Sequence, residues 1–134
     1  MPESLVLIDS CIYITLSKRR LDPAVVILER LQLEDIVTCG MVRLEVIRGI
    51  ALPKVRTHME SFFNVMQNVI TDNALWEEAC ELGWRVTRNG NNMPAQDIII
   101  AAHALRVGAA VLTHDGHFDA IPGLRVLHSL DELR

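Results

Sequence analysis

Aromatic residues are scarce: they make up 4% of a chain in which 50% of residues are hydrophobic. The core must therefore be filled by Leu, Ile, Val and Ala rather than by stacked rings. Cysteine is rare too. Cys11, Cys39 and Cys80 form no C-x-x-C pair, and their number is odd. Neither a disulfide framework nor a cysteine zinc site is supported, and a reducing cytosol suits such side chains. Long apolar runs are missing. The longest, residues 98–102, is far too short to span a membrane. Residues 1–9 carry no basic region followed by a signal-type apolar stretch, so a cytoplasmic protein with no membrane partner is expected. No repeat, linker or low-complexity tract interrupts the 134 residues, which suit one domain spanning 1–134 with a core of its own.

A basic excess is also lacking. The net charge is −4, which taken alone speaks against a polyanionic partner. The imbalance is local, however. Setting aside Asp9, Glu45, Asp97 and Asp115 leaves 13 acids against 13 Lys and Arg. The scaffold is balanced, and the excess sits in four carboxylates that a divalent cation would neutralise.

Short apolar strands alternate with helices. Leu5-Val6-Leu7-Ile8 predicts a buried strand, and Ser10 can cap the helix that follows. Asp22-Pro23 starts another helix, with Val25, Leu28 and Leu31 as its apolar face. A second strand is expected over 35–39, and a helix over 41–50 with Met41, Leu44, Val46, Ile47 and Ile50 mostly buried. A helix over 54–66 and a very short strand at Val69-Ile70 follow. Helices are then predicted from Thr71 or Asp72 to Thr87 and over 96–107, the second stopped by Gly108. Strands over 109–112 and 125–127 complete an α/β domain with a mostly parallel sheet flanked by helices.

In such sheets ligands bind beyond the carboxyl ends of the strands. Asp9 and Asp115 follow predicted strands, and Asp97 sits in the first turn of an apolar helix. Glu45 interrupts the apolar stretch Leu44-Glu45-Val46-Ile47 and is hard to place in solvent. Clustered carboxylates repel and raise one another's pKa values. Hard cations such as Mg²⁺ relieve that cost and recruit phosphate oxygens from a substrate. Hydrolysis of a nucleic-acid backbone is the reaction such a site serves best.

Taken singly, each acid has a structural alternative. Asp9 can cap a helix, Asp97 can complement a helix dipole, Glu45 can pair with Arg43 or Arg48, and Asp115 can form a turn with Gly116. Of the histidines, His58, His103 and His128 lack ligand spacing and are expected on helices or the surface. Cys11 is expected to be a small buried hydrophobe, and Trp76 and Trp84 to pack, with a dimer interface as one setting.

Four motifs in order carry a resemblance. Leu7-Ile8-Asp9-Ser10, then Glu45-Val46-Ile47-Arg48-Gly49, then Gln96-Asp97-Ile98-Ile99-Ile100-Ala101-Ala102, then Thr113-His114-Asp115-Gly116-His117-Phe118 resemble the motifs of PIN domains. Size and motif style are similar to VapC-type toxins of bacterial toxin–antitoxin pairs. The resemblance implies a metal-dependent endoribonuclease, commonly a homodimer, inhibited by a small cognate antitoxin. It implies that Asp9, Glu45, Asp97 and Asp115 hold Mg²⁺ or Mn²⁺, with Ser10 and Thr113 orienting waters or ligands. The chain departs from the usual pattern in carrying His114 and His117 around the last acid, and Asp119 can share the role of Asp115.

Rival readings are a housekeeping nuclease of the same family, a non-catalytic interaction protein of that fold, and a Mg²⁺-dependent phosphotransfer domain. A phosphatase of the haloacid-dehalogenase type needs a second Asp two residues after the first, where Cys11 stands. A receiver domain needs a late Lys, and none follows Lys54. A non-catalytic relative would be expected to lack one of the acids, and all are present.

Overall fold

The computed structural model describes residues 5–133. Met1–Ser4, part of the stretch read as lacking a signal-type region, lies outside them. Five strands, β1 (Val6–Ile8), β2 (Ile36–Thr38), β3 (Gln67–Asn68), β4 (Ala110–Leu112) and β5 (Val126–Leu127), form one sheet in the order β3-β2-β1-β4-β5. Every pairing is parallel. The helices are α1 (Ser10–Lys18), α2 (Pro23–Leu28), α3 (Gly40–Arg48), α4 (Pro53–Val65), α5 (Asn73–Arg88) and α6 (Ala95–Val107). The chain fills the sheet from β1 outward to β3, then returns to the other side of β1 for β4 and β5. The switch in strand order therefore falls between β1 and β4, the position where open α/β sheets place ligands.

The two central strands, Val-Leu-Ile and Ala-Val-Leu, are buried along their whole length, as strands covered on both faces must be. Their register sets Ile8 beside Leu112, so Asp9 and Thr113 emerge side by side at the carboxyl edge. The core is largely aliphatic, yet Tyr13, Phe63 and Phe118 are wholly inside it, with Tyr13 and Phe63 meeting edge to face at 5.1 Å. Trp76 and Trp84 instead stand half-exposed on α5, and Arg88 lies 5.3 Å over the Trp84 ring. All cysteines are free thiols. Among the described residues no helix is long and apolar enough to cross a membrane.

Helix ends follow their capping chemistry. Asp22 accepts from the Ala24 N–H ahead of Pro23, and Asp72 accepts from the Leu75 N–H. Gly108 ends α6 at φ 69°, a conformation that glycine adopts without cost. The first helix starts one residue earlier than expected: Asp9 is its cap and Ser10 its first residue.

Several packing expectations need correction. Only six residues long, α2 buries Pro23, Ala24 and Ile27, while Val25 and Leu28 face out. In α3 the inner face is Val42 and Val46, and Leu44 is 58% exposed. Both helices are short and lie at the rim of the core, so their apolar residues outnumber the positions the core can cover. The third strand is Gln67–Asn68 and not Val69-Ile70, although the Val69 N–H still donates to the Thr38 carbonyl. His103 is fully buried, held between the Thr71 hydroxyl and the Ile99 carbonyl at 2.7 Å each, and burial depresses its pKa.

Candidate active site

Asp9 is buried at the end of β1, where its side chain accepts from the Ser10 N–H at 2.8 Å and from the Thr113 hydroxyl at 2.8 Å. The Thr113 oxygen also accepts from the Asp115 N–H at 2.9 Å. One buried hydroxyl thus fastens the acid after β1 to the loop after β4. Ser10 makes the next link, donating from its hydroxyl to Glu45 Oε1 at 3.0 Å. This contact brings α3 to α1 and gives Glu45 a partner in the site. Among the described residues no ion pair joins Glu45 to Arg43 or Arg48. The Arg43 guanidinium is committed to Asn64 and Asn68 at 2.8 and 3.0 Å and lies over the Phe63 ring.

The second pair of acids is reached through Thr113. Asp97 lies in the first turn of α6, where the helix N-terminus favours negative charge, and its side chain is 15% exposed. Asp115 caps the short helical turn 116–120 and is 35% exposed. Carboxylate oxygens of the two lie within 4.8 Å of each other. Burial pushes the Asp97 pKa up to about 6; the hydrogen bond from His117 opposes this, and the charges of Asp115 and Asp9 add to it. The His117 Nδ1 atom stands 3.0 Å from Asp115 Oδ1 and 3.4 Å from Asp97 Oδ2. Asp97, Asp115 and His117 offer ligand atoms all within 4.8 Å of one another. Asp119 is engaged elsewhere, with both carboxylate oxygens 3.0 Å from His128 Nε2.

The acids read from the sequence are therefore linked at the carboxyl edge: Asp9 to Glu45 through Ser10, Asp9 to the Asp115 amide through Thr113, and Asp115 to Asp97 by ligand atoms within 4.8 Å. Two further neighbours join the acids, one placed elsewhere by the sequence and one flagged by it only as flanking Asp115. Cys11 was expected in the core but is only half-buried. Its sulfur lies 3.5 Å from Asp9 Oδ2 and 3.4 Å from Thr113 Oγ1, and it accepts from the His114 N–H. Burial raises its thiol pKa, so it stays a neutral wall of the crevice. His117 is the other; only its place two residues after Asp115 hinted at it.

This geometry can be set beside known proteins. The family model described as the PIN domain matches residues 6–124. The chain belongs to the PIN-domain family. Several solved structures share its fold. VapBC from Salmonella typhimurium bound to DNA superposes with a TM-score of 0.76 at 20% identity, covering 91% of this chain and 96% of that one. VapBC-1 from nontypeable Haemophilus influenzae gives 0.74 at 19% identity, with 95% and 98% covered. FitAcB from Neisseria gonorrhoeae gives 0.70 at 20% identity, with 92% and 97% covered. A comparison with curated protein sequences gives no match.

The raised Asp97 pKa has a stability consequence of defined sign. A carboxyl whose folded pKa lies above its unfolded value costs stability once the pH exceeds the folded value, and the cost disappears as the pH falls toward the unfolded one. Asp97→Asn is therefore expected to melt above the wild type at pH 8 in chelator, with the gain shrinking through pH 6 and vanishing by about pH 4. Melting curves across that range check it. A variant that melts lower at pH 8 would mean that Asp97 stabilises the metal-free fold.

Proposed function

We propose that this protein is a metal-dependent endoribonuclease acting in the cytoplasm as the toxin of a toxin–antitoxin pair, with Asp9, Glu45, Asp97 and Asp115 as its catalytic carboxylates. The observation that carries the proposal is the convergence of acids from four separate segments on the switch point between β1 and β4. A structural cap or a surface ion pair needs no such convergence. The donor set fits a hard divalent ion such as Mg²⁺ or Mn²⁺, because it consists mainly of carboxylate oxygens. Such an ion, when bound, would supply Lewis-acid activation of water and charge stabilisation at the scissile phosphate.

Only Asp9 of the four is fully buried; Glu45, Asp97 and Asp115 are partly exposed and can meet an incoming phosphodiester. Asp9 is held in one rotamer by Ser10 and Thr113, which preorganises its carboxylate. Glu45 is oriented by the Ser10 hydroxyl, which sets a further carboxylate beside Asp9. The half-buried Cys11 thiol and the Thr113 hydroxyl pack against Asp9. Ser10 and Thr113 are thus positioning residues.

The toxin assignment draws on solved structures of the same fold, among them a toxin–antitoxin complex from Klebsiella pneumoniae and a member of the VapBC family of toxin–antitoxin systems from Mycobacterium tuberculosis. A small antitoxin partner is supported by an apolar groove of about 440 Å³ where Leu21, Val55 and Met59 meet between the α1–α2 corner and α4. Its inhibition would follow from an Arg or Lys set against the acids. The homodimer belongs to this proposal too, and the exposed Trp76 and Trp84 on α5 join the helices between Asp22 and Met66 as surfaces for it.

Cleavage of single-stranded RNA should stop in chelator and return with Mg²⁺ or Mn²⁺. Asp9→Asn should reduce it at least about a hundredfold, the scale of losing one preorganised charged group, while costing no more than about 2 kcal/mol of stability through the cap. Undiminished cleavage in chelator, or by the variant, would contradict the metal mechanism. Light scattering at micromolar concentration should show a dimer, and adding the cognate partner should suppress cleavage. A monomer, or a bound partner that leaves the rate unchanged, would remove the corresponding part.

A further inference from the structure

We infer that His117 is a nitrogen ligand of the metal site and that it tips the site away from Mg²⁺ toward Mn²⁺. The inference rests on the four-carboxylate metal site proposed above, but not on the identity of the substrate. The Nδ1 atom of His117 does not face open solvent. It stands 3.0 Å from Asp115 Oδ1 and 3.4 Å from Asp97 Oδ2. Neighbouring ligands of an octahedral ion with bonds of about 2.1 Å stand about 3 Å apart. The two His117 distances suit neighbouring ligands of one ion, and the three ligand atoms all lie within 4.8 Å of one another.

The backbone holds this arrangement. The His117 N–H donates to Asp115 Oδ1 at 2.8 Å, so one tight turn delivers the ring to the same side as the carboxylate. The turn follows β4 directly, and Thr113 anchors its first amide. His117 is about half-exposed at 49%, so the ring does not fill a core position, and an ion can reach it.

The choice of ion follows from ligand chemistry. Mg²⁺ takes oxygen ligands almost exclusively and holds its waters tightly. Imidazole binds first-row transition ions, most strongly Zn, Cu, Fe and Ni and least strongly Mn²⁺, whereas carboxylate suits Mn²⁺ and Mg²⁺ alike. A purely carboxylate site would discriminate little between those two. One nitrogen ligand beside the acids adds affinity for Mn²⁺ that Mg²⁺ cannot match.

The test needs no RNA. Chelator-treated protein is titrated separately with MnCl₂ and MgCl₂ in a calorimeter, as wild type and as His117→Ala. The variant should lose at least about tenfold in Mn²⁺ affinity, the scale on which even second-layer groups act. Its Mg²⁺ affinity should change far less. Equal weakening of both ions, or tighter Mn²⁺ binding by the variant, would overturn the inference and make His117 a mere neutraliser of the acids. Pulsed electron paramagnetic resonance of Mn²⁺ bound to the wild type gives a readout independent of the variant's folding, and coupling to a directly bound imidazole nitrogen is expected. Mn²⁺ binding without that coupling overturns the nitrogen ligand and leaves the carboxylate site standing. Binding of neither ion overturns both.

Discussion

The hydrogen bond from the Thr113 hydroxyl to Asp9 joins the two strand ends on which the whole site is built. It exists because β1 and β4 pair in parallel with Ile8 beside Leu112, which brings the next residue of each strand out at the same level. That register is set by burial. Val6, Leu7 and Ile8 on one strand and Ala110, Val111 and Leu112 on the other are all inside, and a slip of one residue would turn their side chains to opposite faces. Hydrophobic packing several ångströms below the site therefore decides whether an acid and its hydroxyl partner meet above it. The remaining contacts branch from this pair: Thr113 to the Asp115 amide, Asp9 to the cap of α1, and Ser10 from that cap to Glu45 on α3.

Gathering carboxylates works against folding, and the structure shows how the cost is distributed. Asp9 is offset by a backbone amide and a hydroxyl donor. Asp97 sits at a helix N-terminus and beside His117, yet burial and neighbouring charge still raise its pKa to about 6. Its carboxyl consequently takes up a proton more readily than an ordinary aspartate does. Outside the site the scaffold is electrically even, which leaves the crevice as the main seat of the net charge of −4.

Much of this was legible in the sequence, for identifiable reasons. The buried central strands announce themselves as unbroken apolar triplets, and an acid directly after such a strand has few places to go other than the carboxyl edge. Glu45 and Asp97 were legible as acids set in apolar helices and through their motifs. What could not be read depended on packing between distant segments. The outward face of α2 and the exposure of Leu44 reflect how much core remains at the rim, which periodicity does not report. His103 is buried because Thr71, from another segment, supplies its second partner. Cys11 and His117 reach the crevice through a helix start and a tight turn whose direction only the assembled sheet defines.

Diffraction from crystals soaked in Mn²⁺, recorded for its anomalous signal, tests the central claim most directly. The account predicts a peak in the crevice between β1 and β4, about 2 Å from the carboxylate oxygens of Asp97 and Asp115, with Asp9 and Glu45 lining the same cavity. A fully occupied Mn²⁺ peak elsewhere on the protein, with the four carboxylates unliganded, would contradict it.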